Sequence, residues 1–259
     1  MKKILLAITV SLIFGLSAVA GELGSDLLQG INPGPDGKID VITILPHEDD
    51  ETIFVGGTIM KMKQDPRVRV HIMCLTLGDM SNTNKVLKIT PELQGRIRSA
   101  ELRSAAAVLG ADQVIQLDYH DQGLAGADQN ALRQKILDTI NSTGAEVVVG
   151  YGPDGITGHT DHKTGSRVVT EAFKQSRAQK LYYISLPRVA SVIFAMGAQK
   201  RPMKPTVQVD IRPYKKLKML AMDENATQKW FAGFFQHATM LNWFDFEYFA
   251  LGADNLNRD

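Results

Sequence analysis

Two short stretches of this chain concentrate side chains suited to metal or acid–base chemistry. The first is Pro46-His47-Glu48-Asp49-Asp50-Glu51, four carboxylates behind one imidazole. The second, far along the chain, is Gly158-His159-Thr160-Asp161-His162. Helix capping alone accounts for Asp49, Asp50 and Glu51, because carboxylates suit the free N–H groups and the dipole at a helix start. It explains neither His47 nor the recurrence of His beside Asp in the second stretch. If the two stretches meet, two His and one Asp suit zinc, and three protein ligands leave a coordination position for water, whose pKa zinc lowers from 15.7 to about 7. A hydrolase also needs a proton acceptor for water and a donor for the developing oxyanion. Asp49 and His159, the latter beside Asp161, have the chemistry for those two tasks.

Residues so far apart meet only if the fold places them together. Residues 41–45 read as a β-branched strand running into the first stretch, and 51–63 carry apolar residues at helical spacing. The alternation continues with a strand at 67–77, an Ala-rich helix at 92–109 ended by Gly110, a strand at 113–117 and a helix at 130–140. A strand at 146–149 then precedes the second stretch, with a helix at 163–174 after it. Strands at 181–185 and 206–211 and a helix at 215–229 complete the pattern. This predicts an α/β fold, a Rossmann-like three-layer α/β/α sandwich with a mainly parallel sheet. In a doubly wound sheet the first and fourth strands can be neighbours at the switch point, where ligands bind beyond the strands' carboxyl ends.

With both loops in place, the chain resembles the LmbE-like or PIG-L family of zinc-dependent N-acetylglucosaminyl deacetylases. The family's H-P-D-D-E and G-G-T correspond to His47-Glu48-Asp49-Asp50-Glu51 and Gly56-Gly57-Thr58, and its G-H-x-D-H to Gly158-His159-Thr160-Asp161-His162. Between them, Arg98-Ser99-Ala100-Glu101-Leu102 leading to Leu109-Gly110 matches an R-x-x-E-L helix, and Asp121-Gln122-Gly123-Leu124 a D-x-G-L loop. The resemblance implies His47, Asp50 and His162 as metal ligands, Asp49 as general base and His159 as the acid that stabilises the oxyanion. It further implies that Asp161 orients His159, and that Arg98 and Asp121 contact the substrate. The cofactor is then Zn2+ or another divalent metal, and the substrate a small molecule or glycan bearing an N-acetyl amino sugar. Glu48 in place of the usual Pro, Thr157 where some members carry Tyr, and Asn225-Ala226-Thr227-Gln228 in place of H-x-S-Q depart from the pattern.

Composition sets the bounds. The 259 residues are 44% hydrophobic and 22% charged with a net charge of +1, which suits a globular domain and argues against a nucleic-acid partner reliant on phosphate neutralisation. Lys2 and Lys3 precede an apolar run and the small residues Ser17-Ala18-Val19-Ala20. Residues 1–20 therefore read as a signal peptide cleaved after Ala20, giving a periplasmic or secreted protein without stable membrane insertion. An arm at 21–38, rich in Gly, Pro and Asn, precedes a single domain at 39–259. The lone Cys74 lies in an apolar strand pattern and reads as a buried thiol. Nine of the eighteen aromatic residues fall between Trp230 and Phe249, a clustering that suits a segment packed onto the sheet. His71 belongs to a strand pattern, His237 to this aromatic tail, and His120 sits beside Asp121. The competing functional reading is a non-catalytic sugar-binding protein that keeps a structural zinc site. A nucleotide-binding domain is disfavoured, since no G-x-G-x-x-G follows the first strand.

Overall fold

A computed structural model describes residues 23–186, 203–229 and 245–256. The leader expected at 1–20, His237 and the aromatic run at 230–244 lie outside the described residues. Strand β1 (Ile39–Leu45) is buried along its whole length, as its apolar and β-branched composition requires of a strand covered on both faces. It pairs in parallel with β2 (Val68–Thr76) on one side and β4 (Val147–Tyr151) on the other. Beyond these lie β3 (Gln113–Tyr119) and β5 (Lys180–Ser185), also parallel. Strand β7 (Phe246–Asp254) then runs antiparallel between β5 and β6 (Val207–Asp210). The order β3-β2-β1-β4-β5-β7-β6 makes the β1–β4 junction the switch point. The register Thr43↔Val149 sets the carboxyl ends of these two strands level with each other.

Alternating side chains of β1 face two apolar layers. Val41 and Leu45 join Ile59, Leu102, Leu109 and Met222, from helices α2 (Gly56–Met62), α4 (Pro91–Leu109) and α7 (Lys215–Asp223). Ile42 and Ile44 join Leu132, Ile136, Val168 and Phe173, from α5 (Gln129–Thr143) and α6 (Thr160–Gln175). The expected three-layer α/β/α architecture is the one observed. Helix α4 begins at the cap Thr90, whose side chain accepts from Leu93 N, and ends at Gly110 with φ 78°, the left-handed C-terminal position that favours glycine. Among the described residues no helix is long and apolar enough to cross a membrane.

The differences from the sequence-based reading have tertiary causes. The single helix expected at 51–63 is two, α1 (Asp50–Phe54) and α2, divided at Val55. The new helix start is satisfied by Glu247 of β7, whose carboxylate accepts from Gly57 N and Thr58 N at 3.0 and 2.8 Å. The aromatic residues at 246–249 enter the sheet as part of β7 instead of packing onto it. The helix expected at 215–229 stops at Asp223, with a 3-10 turn at Ala226–Gln228. A short helix α3 (Thr83–Leu87) had no sequence signal. The arm is docked onto the fold from residue 23 onward: Gly24 bridges to Val207, and Leu27 and Ile31 are buried. Cys74 is buried as expected.

The close seat of α2 gives a direct test. A Cβ at Gly57 would lie 2.6 Å from Ile211 side-chain carbons, and overpacking of this kind costs about 1–3 kcal/mol. Gly57→Ala should therefore lower the denaturation midpoint in urea by that amount of stability, with no change in the slope of the transition.

Candidate metal centre

From the end of β1 the chain turns through residues 46–49, and the acidic stretch then divides its labour. Asp49 occupies the cap position of α1, yet its side chain makes no capping hydrogen bond. Asp50 turns back, its Oδ2 accepting from His47 N at 3.0 Å, and its Oδ1 accepts from the hydroxyl of Tyr151 at 2.6 Å. Tyr151 is the last residue of β4, and its ring stacks on His162 with centroids 4.2 Å apart. Sequence reasoning missed Tyr151, since an aromatic at a strand end reads as core. Its one available signal was its place between a strand and the second histidine loop.

The two loops meet. His47 Nδ1 lies 3.1 Å from His162 Nε2, across 115 residues of sequence. The outer nitrogens fix what the inner ones present. His162 Nδ1 is 3.0 Å from the Gly155 carbonyl oxygen, which can only accept, and 3.0 Å from Thr157 Oγ1. His47 Nε2 faces Asp121 Oδ1 at 3.1 Å and Asp161 Oδ2 at 3.5 Å. With protons on these outer positions, the inner nitrogens turn lone pairs toward each other, and a positive charge must sit between them. Asp50 completes the group, Oδ2 at 3.7 Å from His47 Nδ1 and Oδ1 at 3.6 Å from His162 Nε2. Ligands about 2.0–2.1 Å from a tetrahedral ion stand roughly 3.4 Å apart. The three side chains therefore fit a divalent cation.

Electrostatics separate the two rings. Burial by itself lowers the pKa of His47, but its contacts with Asp121 and Asp161 and the charge of Asp50 outweigh it and raise the pKa to about 10. Burial, joined by the charge of His47, drives His162 down to about 3. The two facing nitrogens are thus not both protonated, and a bound cation would take the place of the proton between them. His159 brings a third ring nitrogen within 4.8 Å of the other two. Its Nδ1 accepts from Asp161 N at 3.2 Å, leaving Nε2 as the position that carries a proton. Asp121, Asp161 and His47 also form a group of metal-ligand type. Both carboxylates of that group, however, face the outer nitrogen of His47, the arrangement by which acidic residues orient a liganding imidazole. Asp121→Asn should accordingly weaken metal binding by about 10- to 100-fold, measured by competition with a chromogenic chelator.

Three of the expected roles meet a different geometry. The Asp161 carboxylate does not turn to His159. It accepts from Gln122 N and Leu124 N at 2.6 and 3.2 Å, because those loop N–H groups sit over the first turn of α6 and claim both oxygens. Asp121 is buried against His47. Arg98, only 3% exposed, lies beneath the site, its Nη2 3.5 Å from Asp49 Oδ1 and its Nε 3.3 Å from Glu48 Oε2. Glu48 is fully buried, accepts from Gln116 Nε2 at 3.0 Å, and is pushed up to about 7 by burial against the opposing charges of Arg98 and His47. The segment 225–228 packs behind this region, Thr227 N and Oγ1 both donating to Glu101. In the second loop Ile156 has φ 55°, a left-handed backbone that a β-branched residue rarely adopts, and it follows directly on Gly155, whose carbonyl orients the His162 ring.

Comparison with known proteins follows the same lines. The family described as "PIG-L: GlcNAc-PI de-N-acetylase" matches residues 42–173. A probable N-acetyl-alpha-D-glucosaminyl L-malate deacetylase 2 of Bacillus anthracis is 29% identical over 189 residues, 73% of this chain and 80% of that protein. Among solved structures, GalB, the 4-carboxy-2-hydroxymuconate hydratase from Pseudomonas putida KT2440, is similar with a TM-score of 0.65 at 16% identity, over 85% of this chain and 99% of that one. The N,N'-diacetylchitobiose deacetylase from Pyrococcus horikoshii is similar with a TM-score of 0.62 at 22% identity, over 82% and 83%. At such identities the structural likeness shows the fold alone, and the fold carries both a hydratase and a deacetylase.

Proposed function

This chain belongs to the PIG-L family, and from that premise we propose that it is a metal-dependent N-deacetylase, removing acetyl groups from N-acetylglucosamine-like amino sugars or their conjugates. The observation that carries the reading is the approach of His47 Nδ1 to His162 Nε2 at 3.1 Å, with an Asp50 oxygen within 3.7 Å of each, beside an uncapped Asp49 carboxylate. Those three side chains would hold the cation, zinc by the nature of the donors. When bound, it supplies Lewis acidity, polarising the amide carbonyl and making water acidic enough to lose a proton near neutral pH.

The remaining steps belong to the chain itself. Asp49 takes a proton from the attacking water, with one of its oxygens steadied by Arg98. The water oxygen bonds to the acyl carbon, and His159 directs its Nε2 proton at the developing oxyanion. The C–N bond then breaks, its electron pair stays on nitrogen, and the amine departs after gaining the proton that Asp49 took from the water. Asp121 and Asp161 keep the His47 ring in register throughout. We place this chemistry outside the cytoplasm, on the leader reading of residues 1–20. N-terminal sequencing of the protein recovered from cell fractions tests that placement.

The test of function pairs metal analysis with amine release. The purified protein should carry zinc and release free amine and acetate in equal amounts from at least one member of a panel of N-acetylglucosamine conjugates. A chelator should abolish this and added divalent metal restore it. Bound metal with no amine released across the panel would instead favour the non-catalytic sugar-binding reading.

A further inference from the structure

The acidic stretch after β1 holds a carboxylate that the chemistry above leaves unused. Glu48 stands between His47 and Asp49 in sequence, where the family's motif has proline, so its charge is an addition of this chain. It is fully buried. Its Oε1 accepts from Gln116 Nε2 at 3.0 Å, and the same amide donates to the Thr76 carbonyl at 2.9 Å, which ties Glu48 to the end of β2. Its Oε2 lies 3.3 Å from Arg98 Nε. The seat is close. A Cβ on Gly78 would collide with Glu48 Oε2 and lie 2.8 Å from Arg98 Nε, so the pair fits only beneath a bare backbone.

Arg98 is therefore shared. Among the described residues, Glu48 and Asp49 are the two carboxylates within 4.0 Å of its guanidinium, one at Nε and the other at Nη2. The contact with Asp49, at 3.5 Å, is longer than a charge-assisted hydrogen bond. Neither Nε nor Nη2 has a hydrogen-bond partner among the described residues, so charge on two sides holds the group where it is. A buried guanidinium requires compensating charge. Left with one carboxylate, it favours the two-pronged pairing that engages both oxygens. For Asp49 that pairing would occupy the oxygens that must receive a proton from water. Glu48, anchored by Gln116, supplies the charge that opposes it.

Resting on the deacetylase reading, we infer that Glu48 is a positioning residue, which holds Arg98 from the side away from the base so that the guanidinium supports Asp49 without capturing it. Glu48→Gln keeps the shape and removes the opposing charge. Its kcat should fall by about 10- to 100-fold, the scale of a small misplacement at a reacting group, while KM and zinc content stay at the wild-type level. In the Asp49→Asn protein the same substitution should cost nothing further, because effects carried through one group do not add. Were Arg98 a substrate contact, Glu48→Gln would instead raise KM with kcat held. That split, an unchanged kcat, or an equal loss with and without Asp49 overturns the inference. Should Glu48→Gln fail to fold, Gln116→Leu, which removes the anchor and leaves the charge, is judged by the same criteria. If the wild type releases no amine, the deacetylase reading fails by itself, and a crystal structure of whichever variant folds decides the positioning. Arg98 closed onto Asp49 through two hydrogen bonds upholds it, and Arg98 in its wild-type place overturns it.

Discussion

Asp49→Asn is expected to leave zinc content at the wild-type level and lower kcat by about 10²- to 10⁴-fold, the usual contribution of a positioned general base. The amide cannot accept water's proton, whereas the three metal-ligating side chains are untouched. The loss should be equal in kcat and kcat/KM, because the contact matters in the transition state and not in substrate binding. The fold offers little reason for a stability change. Asp49 makes no capping bond to α1, and Arg98 beneath it keeps the carboxylate of Glu48. Parallel measurements of bound metal, melting temperature and steady-state kinetics check each clause. An Asp49→Asn protein that turns over at the wild-type rate would show that another group, with His159 the nearest alternative, takes the proton.

Much of this centre was legible in the residues because strand pattern and chemistry coincide. A β-branched run ending in an imidazole and carboxylates reads as a strand whose carboxyl end is a site, and the α/β alternation makes the first and fourth strands neighbours. That reasoning predicted the meeting of His47 with His162 that the pairing of β1 with β4 produces. What escaped was set by contacts from elsewhere in the chain. The break at Val55 exists because Glu247, 190 residues from Gly57, supplies acceptors for a second helix start. The direction of the Asp161 carboxylate is chosen by two loop N–H groups, not by its neighbour His159. Glu48 marked a departure in the motif, but its burial against Arg98 and Gln116 depends on how α4 and β3 pack. Local spacing identifies which side chains are available; their rotation is settled by the fold.

His162→Ala should lose metal and activity together. The substitution leaves His47 and Asp50 as the remaining pair of the proposed ligands, and losing a direct ligand should weaken affinity by more than the ~100-fold seen when only an orienting partner is removed. The clearest readout is thermal. A ligand bound only by the folded state stabilises it by RT ln(1 + [L]/Kd), about 2.7 kcal/mol at a hundredfold excess over Kd. Chelated wild type should therefore gain melting temperature on adding zinc. Asp49→Asn should gain as much, while His162→Ala should gain nothing at the same concentration. Removing the ring also leaves a gap beneath the Tyr151 face on which it stacks, so the metal-free variant should melt below metal-free wild type. Comparing zinc-induced shifts, each against its own chelated baseline, separates that packing loss from the binding loss. A full zinc shift in His162→Ala would place the cation elsewhere, with the group formed by His47, Asp121 and Asp161 the first to examine, and the paired roles of Asp49 and His159 would then have to be redrawn around it.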